Sequence, residues 1–325
     1  ATAGWQEFAG HSPHRPYIDA VKIACGRCGG TASRVADVGN PWLDAGIVPY
    51  STLGYGQDRE EWARWFPADL VLECFPGQFR NWFYAMLAMN AMMQEDRWAD
   101  RDAGRSAVVP PFRTLLGYAL VLDEEGREMH KSLGNAIEFN EAADTMGADI
   151  MRWIYCRQEL ASNLNFGYGV GKEVRGKFYN TLWNTYSFFV NYARLDEFVP
   201  PDKPTPVTER PAFDRWIASK LQVLIKSCRR HFESFNTRAA CVAIEGFVED
   251  LSNWYIRQNR RRFWKTDNPA DQRMAYETLY ECLYALVRLV APIIPFTAES
   301  IYQNLVRSIA DSAPESVHHT EFPQA

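Results

Sequence analysis

The sequence lacks the features of membrane, secreted and disordered proteins. A membrane-spanning helix needs about 18 apolar residues in a row, and no run here is that long. The amino terminus lacks the charged and apolar regions of a secretory signal. Cysteines are few and scattered, 7 in 325 residues, and only Cys25 and Cys28 are close in sequence. This usage favours a reducing compartment. The composition predicts a soluble, cytoplasmic protein with no membrane partner.

The sequence also lacks an excess of positive charge, internal repeats and low-complexity tracts. A net charge of −5 excludes a generally basic nucleic-acid coat, although a local basic patch is still compatible with it. The 47% of hydrophobic and 14% of aromatic residues are enough for a large core in two or more domains. The chain begins without methionine, and we expect it to be a piece of a longer protein.

Three segments of different character predict three domains. Residues 1–34 are rich in glycine, proline and polar residues and show no core. Residues 35–167 alternate apolar runs, such as "ADLVLECF" and "YALVLDEE", with helical patterns such as "RNWFYAMLAMNAMMQ"; this is an α/β pattern. Residues 168–325 are helical and predict an all-α bundle. One proline-rich stretch in this last segment, "VPPDKPTPVTERP", cannot continue a helix.

Helical periodicity is clearest in "KFYNTLWNTYSFFVNYA". Its apolar residues repeat every three or four positions and predict the buried face of a helix: Phe178, Leu182, Tyr186, Phe189 and Ala193.

A short basic loop follows the apolar run that ends near residue 122. In "GREMHKSLGN", Gly126 and Gly134 enclose Lys131 and Ser132. The glycines give the segment freedom to move, so that the ammonium group can meet an anion such as a phosphate. A plain turn is the alternative.

Cys25 and Cys28 form a C-x-x-C motif followed by two glycines, which suits the tight turn of a zinc knuckle. Zinc needs four ligands, and the nearby candidates for the others are His11 and His14. Two unligated thiols are the alternative.

Two further segments suit a small-molecule site. Trp42 lies among turn-forming residues, where core packing is an alternative role. In "LECFPGQFRNWFYAML", Gln78 and Arg80 lie where a strand leads into a helix. Ligands favour that edge of a parallel sheet.

Basic and aromatic residues alternate in "LSNWYIRQNRRRFWK". Such a mixture can contact an RNA backbone and stack on its bases, while the spread of aromatic residues around the helix indicates that part of it is buried. The basic residues are Arg257, Arg260, Arg261, Arg262 and Lys265.

These motifs, in this order, resemble the isoleucyl-tRNA synthetases, a family of class I aminoacyl-tRNA synthetases. The resemblance extends from "CGRCGG" through "PWLDAG", "GQFRNWF", "MHKSLGN" and "TLWNTYSFFVNYA" to "PIIPFTAESIYQNL". It implies the second half of a Rossmann-like parallel sheet and an anticodon-binding bundle. It also implies ATP and Mg²⁺ as cofactors, isoleucine and ATP as substrates, tRNA(Ile) as the partner and a monomeric state.

The resemblance also assigns roles to individual residues. Lys131 matches the second lysine of the family's KMSKS loop and Ser132 the serine after it, so both are expected to be catalytic. Trp42 and Trp82 match the tryptophans of the isoleucine pocket. Glu73 and Gln78, together with Lys131, are expected to bind ATP or the adenylate. The basic residues of "RQNRRRFWK" are expected to bind tRNA.

The sequence departs from the family pattern at four of these positions: Gly77, Tyr118, Glu128 and His130. Glu128 stands where the family has a lysine, and Gly77 where it has an aspartate. A HIGH-type motif and an editing domain are not found, so the first half of the catalytic domain is expected to lie upstream. Residues 1–34 then represent the end of the connective insertion, and Cys25 and Cys28 half of a Zn²⁺ site.

Three functional interpretations follow. The first is the carboxyl-terminal part of an isoleucine–tRNA ligase, inactive in isolation. The second is a valyl or leucyl relative, and the third is a stand-alone, non-catalytic tRNA-binding protein derived from a synthetase.

Overall fold

The computed structural model describes residues 1–12, 15–37, 41–94, 109–265 and 267–325. Its residues form two compact units, Ala1–Leu116 and Gly117–Ala325. The boundary between them falls inside the segment that the sequence analysis assigned to the second domain. The domain limits at residues 34 and 167 stay predictions.

The first unit combines short strands with short helices. Its strands are β1 (Lys22–Ala24), β2 (Thr31–Ser33), β3 (Ala68–Cys74) and most of β4 (Phe112–Tyr118), which crosses the boundary after Leu116. Its helices are α1 (Trp5–Phe8), α2 (Trp42–Gly46), α3 (Val48–Ser51), α4 (Arg59–Trp65), α5 (Phe75–Gln78) and α6 (Tyr84–Met93). Strands β1 and β2 form an antiparallel hairpin in which Lys22 is opposite Ser33. Strands β3 and β4 are hydrogen-bonded neighbours.

A small apolar cluster forms the core beside β3 and β4, with Val71, Phe83 and Met86 as its buried members. The predicted strand "ADLVLECF" is confirmed as β3, and the predicted helix "RNWFYAMLAMNAMMQ" as a π-helical turn, Phe79–Phe83, that continues into α6.

The second unit begins with a short parallel strand pair and continues in helices. The pair is β5 (Val121–Leu122) and β6 (Leu164–Asn165). The helices are α7 (Phe139–Met146), α8 (Ala148–Arg157), α9 (Tyr168–Val174), α10 (Asn180–Leu195), α11 (Ala212–Glu233), α12 (Thr237–Glu249), α13 (Arg257–Trp264), α14 (Pro269–Val290) and α15 (Pro295–Tyr302). The predicted strand "YALVLDEE" is thus interrupted, because β4 ends at Tyr118 before β5 begins.

Three helical runs are longer than the separate helices suggest, because π-helical turns continue them. Arg175–Tyr179 joins α9 to α10, Asp250–Ile256 joins α12 to α13, and Gln303–Arg307 extends α15. The helices begin where the sequence supplies caps: the Asn236 side chain accepts from the Ala239 amide, and Asn268 accepts from the Asp271 amide.

A large apolar core fills the bundle, and the periodicity predicted for α10 is confirmed there. Its five predicted positions are all buried: Phe178, Leu182, Tyr186, Phe189 and Ala193. The proline-rich stretch separates α10 from α11, as predicted. Among the described residues, no helix combines the length and the apolar character needed to cross a membrane.

Candidate functional site

The lysine-bearing loop lies between β5 and α7. Gly126 and Gly134 both take positive φ, 79° and 70°, which explains why glycine occupies the two ends of the loop. Lys131 and Ser132 lie in a single 3-10 turn, Lys131–Leu133, and both are exposed. The Lys131 ammonium group is therefore presented to solvent by a loop with defined ends.

Asp123 holds the base of this loop. The residue is 5% exposed, and its carboxylate accepts from the Arg127 amide at 2.8 Å, from Arg127 Nε at 2.9 Å and from Asn135 Nδ2 at 2.9 Å. Burial alone would raise the pKa of Asp123, but the hydrogen bonds from Arg127 and Asn135 outweigh it and lower the pKa. Asp123 is thus a charged anchor for the loop.

Asn135 extends this anchor to the middle of the loop. Its Oδ1 accepts from the His130 amide at 2.9 Å, and its Nδ2 donates to the Glu128 carbonyl at 3.0 Å. The His130 and Glu128 side chains are exposed, with His130 Nε2 3.3 Å from Glu128 Oε2. Two of the four departures from the family pattern, Glu128 and His130, therefore face each other on the loop surface.

Glu124, beside Asp123, contacts the start of α9 instead of the loop. Its Oε1 accepts from the Val170 amide at 3.0 Å, which caps the helix. A Cβ at Gly167 would lie 2.1 Å from Glu124 Cγ, and one at Gly169 would lie 2.6 Å from Oε1. Because Gly167 and Gly169 have no side chain, the Glu124 carboxylate can pack against them. Sequence reasoning missed Glu124, although the close spacing of the glycines in "FGYGVG" is a signal of close packing.

The two predicted pocket tryptophans belong to packed elements of the first unit. Trp42 begins α2 and is half-buried. Trp82 Nε1 donates to the Ala45 carbonyl of the same helix at 3.0 Å. A Cβ at Gly46 would lie 2.7 Å from the Ala85 carbonyl carbon, so α2 lies directly against the backbone of α6. The structure thus links Trp82 to the helix that carries Trp42.

The predicted nucleotide-binding residues follow at the end of β3. Glu73 Oε1 accepts from the Cys74 amide at 2.8 Å. Gln78 closes α5, and its Oε1 is buried without a hydrogen-bond partner among the described residues. A buried acceptor of this kind suits a ligand hydroxyl. Nothing lies within 4 Å of a Cβ built at Gly77, where the family has an aspartate.

Cys25 and Cys28 lie in the turn of the β1–β2 hairpin. The Cys25 amide donates to the Gly30 carbonyl at 2.7 Å, and the Gly29 amide donates to the Cys25 carbonyl at 2.9 Å. Hydrogen bonds from the Arg27 and Cys28 amides, and then from the Cys28 thiol, lower the pKa of Cys25. Among the described residues, which exclude His14, no group of three or more potential ligands surrounds a metal position.

The predicted basic-aromatic surface lies on α13 and the turn before it. Arg257, Arg260 and Arg261 are exposed. Trp254 and Trp264 are 55% and 51% exposed, and the Arg260 guanidinium lies 5.5 Å from the Trp264 ring centroid. Lys265, which follows α13, is also exposed. Cations and aromatic faces therefore reach solvent together.

Arg262 differs from its neighbours because it points into the bundle. Its guanidinium pairs with both carboxylate oxygens of Asp214, at 2.6 and 2.8 Å, and with Asp271 at 2.9 Å. Asp214 is 0% exposed and also accepts from the Tyr255 hydroxyl at 2.8 Å. This arginine stabilises the bundle and is not available to RNA in the way that Arg261 is. Sequence proximity alone gave no signal of this.

Two family models match the chain. Residues 9–167 match "tRNA synthetases class I (I, L, M and V)", and residues 214–325 match "Anticodon-binding domain of tRNA ligase".

Two solved structures share the fold at 20% identity. The agnB2 LeuRS–tRNA–LeuAMS ternary complex of Agrobacterium radiobacter K84 has a TM-score of 0.64, covering 93% of this chain and 35% of that one. Mycobacterium tuberculosis methionyl-tRNA synthetase in complex with methionyl-adenylate has a TM-score of 0.61. That match covers 86% of this chain and 55% of the synthetase chain.

The chain is thus similar to the class I tRNA synthetases over residues 9–167 and 214–325. It combines segments that match the catalytic and anticodon-binding models of that class, and the predicted fold, an α/β part followed by a helical bundle, is confirmed. Among its curated relatives, the isoleucine–tRNA ligase of Thermus thermophilus is 41% identical over 318 residues, and that of Clostridium novyi 38% over 313 residues. Each alignment covers 96% of this chain and 29% of the relative. The chain thus spans less than a third of the length of these relatives.

Proposed function

We propose that the chain is the carboxyl-terminal catalytic segment and the tRNA-binding bundle of an isoleucine–tRNA ligase in the cytoplasm. The observation that carries this proposal is the exposed Lys131 on a loop anchored by Asp123. The similarity to isoleucine–tRNA ligases supports isoleucine as the amino acid and tRNA(Ile) as the partner. We infer that the protein acts as a monomer.

The proposed reaction forms an aminoacyl-adenylate from isoleucine and ATP, and then transfers the amino acid to tRNA. Negative charge accumulates on the departing pyrophosphate, and the Lys131 ammonium group would stabilise that charge. Gln78 Oε1, a buried acceptor, would receive a ribose hydroxyl. Trp42 and Trp82 would line the side-chain pocket. Mg²⁺ would arrive with ATP and screen its phosphates.

Zn²⁺ fits the hairpin turn as half of a structural site. The amides that lower the pKa of Cys25 favour the thiolate form that zinc requires. Cys25 and Cys28 would supply two of the four ligands, and the others would come from elsewhere. The metal would fix the hairpin and take no part in the reaction.

Pyrophosphate exchange tests the proposed activity. Because adenylate formation needs groups from the whole catalytic domain held in register, we expect no exchange from the isolated chain. We expect isoleucine-dependent exchange from the longer protein that contains it. Preference for valine or leucine would instead identify a relative of different specificity.

RNA binding by the isolated chain tests the second part of the proposal. We expect the chain to bind tRNA(Ile) with an affinity that falls as salt rises, because Arg257, Arg260 and Arg261 would displace counterions from phosphates. Binding without any exchange by the longer protein would favour the non-catalytic tRNA-binding protein. Salt-independent binding would contradict the role of these arginines.

A further inference from the structure

A cavity of about 330 Å³ opens in the second unit, near the carboxyl end of α14. It lies between the α7–α8 turn, the π-helical turn after α9, α10 and the start of α15. Three aromatic side chains line it: Tyr179, Trp183 and Phe296. We call it the aromatic cavity. The basic helix α13 does not contribute to it.

Two of these rings are open to solvent. Phe296 is 68% exposed and Trp183 is 38% exposed. Tyr179 is held in place, with its hydroxyl 3.2 Å from Thr297 Oγ1. Large aromatic faces that line one opening offer a flat, apolar partner surface to a second flat ring.

The exposed charge at the opening is positive. Its two charged lining residues are Asp149 and Arg175. Asp149 is 6% exposed and accepts from Thr297, at 2.7 Å from the amide and 2.5 Å from the hydroxyl. Arg175 is exposed, with Nη2 fixed by the Met146 carbonyl at 2.5 Å. The carboxylate is thus satisfied internally, while the guanidinium faces solvent beside the rings.

We propose that the aromatic cavity binds an unpaired nucleotide of an RNA, with the base stacked on Trp183 or Phe296 and Arg175 close to its phosphate. Aromatic faces next to an arginine are the combination that proteins use for splayed-out bases. An apolar protein segment could pack against the aromatic rings, but it would leave the Arg175 charge without an anionic partner, so RNA is the better fit. The inference rests on the proposed function in one respect, namely that the RNA is a tRNA.

The distance between the aromatic cavity and the basic helix α13 determines how long an RNA must be to contact both. Arg262 of α13 pairs with Asp271 in the first turn of α14, whereas Phe296 follows the end of that helix. Helix α14 has 22 residues, so the basic helix and the aromatic cavity are about 30 Å apart at about 1.5 Å per residue. An RNA that occupies both must span the length of the bundle, as a whole tRNA does and a short hairpin does not.

Substitutions in the chain test the stacking directly. We expect Trp183→Ala and Phe296→Ala each to weaken the binding of a tRNA(Ile) transcript by about 5- to 150-fold, and Trp183→Phe to retain most of the affinity. The slope of affinity against salt should not change, because no phosphate contact is lost. Trp65→Ala, which removes another exposed tryptophan, is the matched control. Circular dichroism should show unchanged folding.

A short hairpin RNA carrying only the anticodon loop gives the second measurement. Because it cannot reach both surfaces, its affinity should fall either with Trp183→Ala and Phe296→Ala or with Arg260→Ala, whereas the affinity of the whole tRNA should fall with all three. Equal tRNA affinity of the parent and both alanine variants would overturn the stacking site and leave the proposed function intact. Failure of the parent to bind either RNA would contradict tRNA binding itself. A dimer that Phe296→Ala dissociates would identify the cavity as a contact between copies.

Discussion

Arg261 and Arg262 are neighbours in the chain, but their environments are opposite. Arg261 is exposed, whereas the Arg262 side chain is 13% exposed and bonded to a carboxylate that is 0% exposed. Removing the guanidinium would leave the Asp214 charge buried without its partner, and the Tyr255 hydroxyl alone does not neutralise it. The sequence pattern gives no reason to distinguish the two arginines, but in the fold only Arg262 is held inside the bundle.

Arg262→Ala should therefore destabilise the bundle. Breaking a buried ion pair costs about 3–5 kcal/mol, whereas the matched change Arg261→Ala should alter the free energy of unfolding by about 0.5 kcal/mol or less. Urea unfolding followed by circular dichroism measures both. Equal stability of the two variants would show that the Asp214 pair contributes nothing.

In the proposed isoleucine–tRNA ligase that contains this chain, Lys131→Ala should slow adenylate formation. Loss of one charge-stabilising contact in the transition state costs about 3–4 kcal/mol, or about 10²–10³-fold in rate, with a much smaller change in the KM for isoleucine. Glu128→Ala is the control on the same loop and should be nearly silent. Exchange kinetics decide the matter: a Lys131→Ala rate within about threefold of the parent would mean that the loop is a simple turn.

At the scale of elements, the loop between β5 and α7 should lose its Asp123 anchor at low pH. The lowered pKa of Asp123 means that the folded loop favours the carboxylate, so this stabilisation is present above the ordinary aspartate pKa of about 4 and is lost as pH falls below it. The side-chain amide resonance of Asn135 should therefore shift with a midpoint below about pH 4.

Asp123→Asn should remove that transition and loosen the loop at neutral pH. Asp144→Asn, a change at an exposed carboxylate of α7, should leave both the midpoint and the loop unchanged. An Asn135 resonance that shifts identically in the parent and in Asp123→Asn would rule out Asp123 as the anchor.

The β1–β2 hairpin should bind metal weakly in the isolated chain. Two thiolates supply half of a zinc site, so we expect loose or substoichiometric zinc that Cys25→Ser removes and Cys74→Ser does not. Because amide hydrogen bonds lower the pKa of Cys25, its alkylation should show a midpoint below the usual value of about 8.5. One tightly bound zinc that depends on His11 and His14 would establish a complete site in the chain.

Helical elements were readable from sequence because their signal is local. The spacing of Phe178, Leu182 and Tyr186 alone indicates which face of α10 is buried. The anchors of the candidate site were not readable, since their partners are remote: Arg262 meets Asp214 across 48 positions, and Trp82 meets Ala45 across 37. Lys131, Ser132 and the tryptophans were located by resemblance, and their roles stay predictions.

At the scale of the whole molecule, the two units should differ in stability. The core beside β3 and β4 is a small cluster around Val71, Phe83 and Met86, whereas the bundle buries an extensive apolar core. Since apolar burial is the main stabilising contribution, amides of β3 and α6 should exchange with deuterium at lower urea concentrations than amides of α12 and α14. Exchange of all four elements in one transition would mean that the units unfold together.

The packing of Glu124 against Gly167 and Gly169 has a consequence for how this chain can diverge. A methyl group at residue 167 would overlap the Glu124 side chain, with only 2.1 Å between carbon centres, so neither position can change freely while the other is kept. A lineage that gains a side chain at 167 or 169 must therefore move or shorten the Glu124 side chain, and the clash is most severe at 167. Helix α9 must then take its cap from another acceptor.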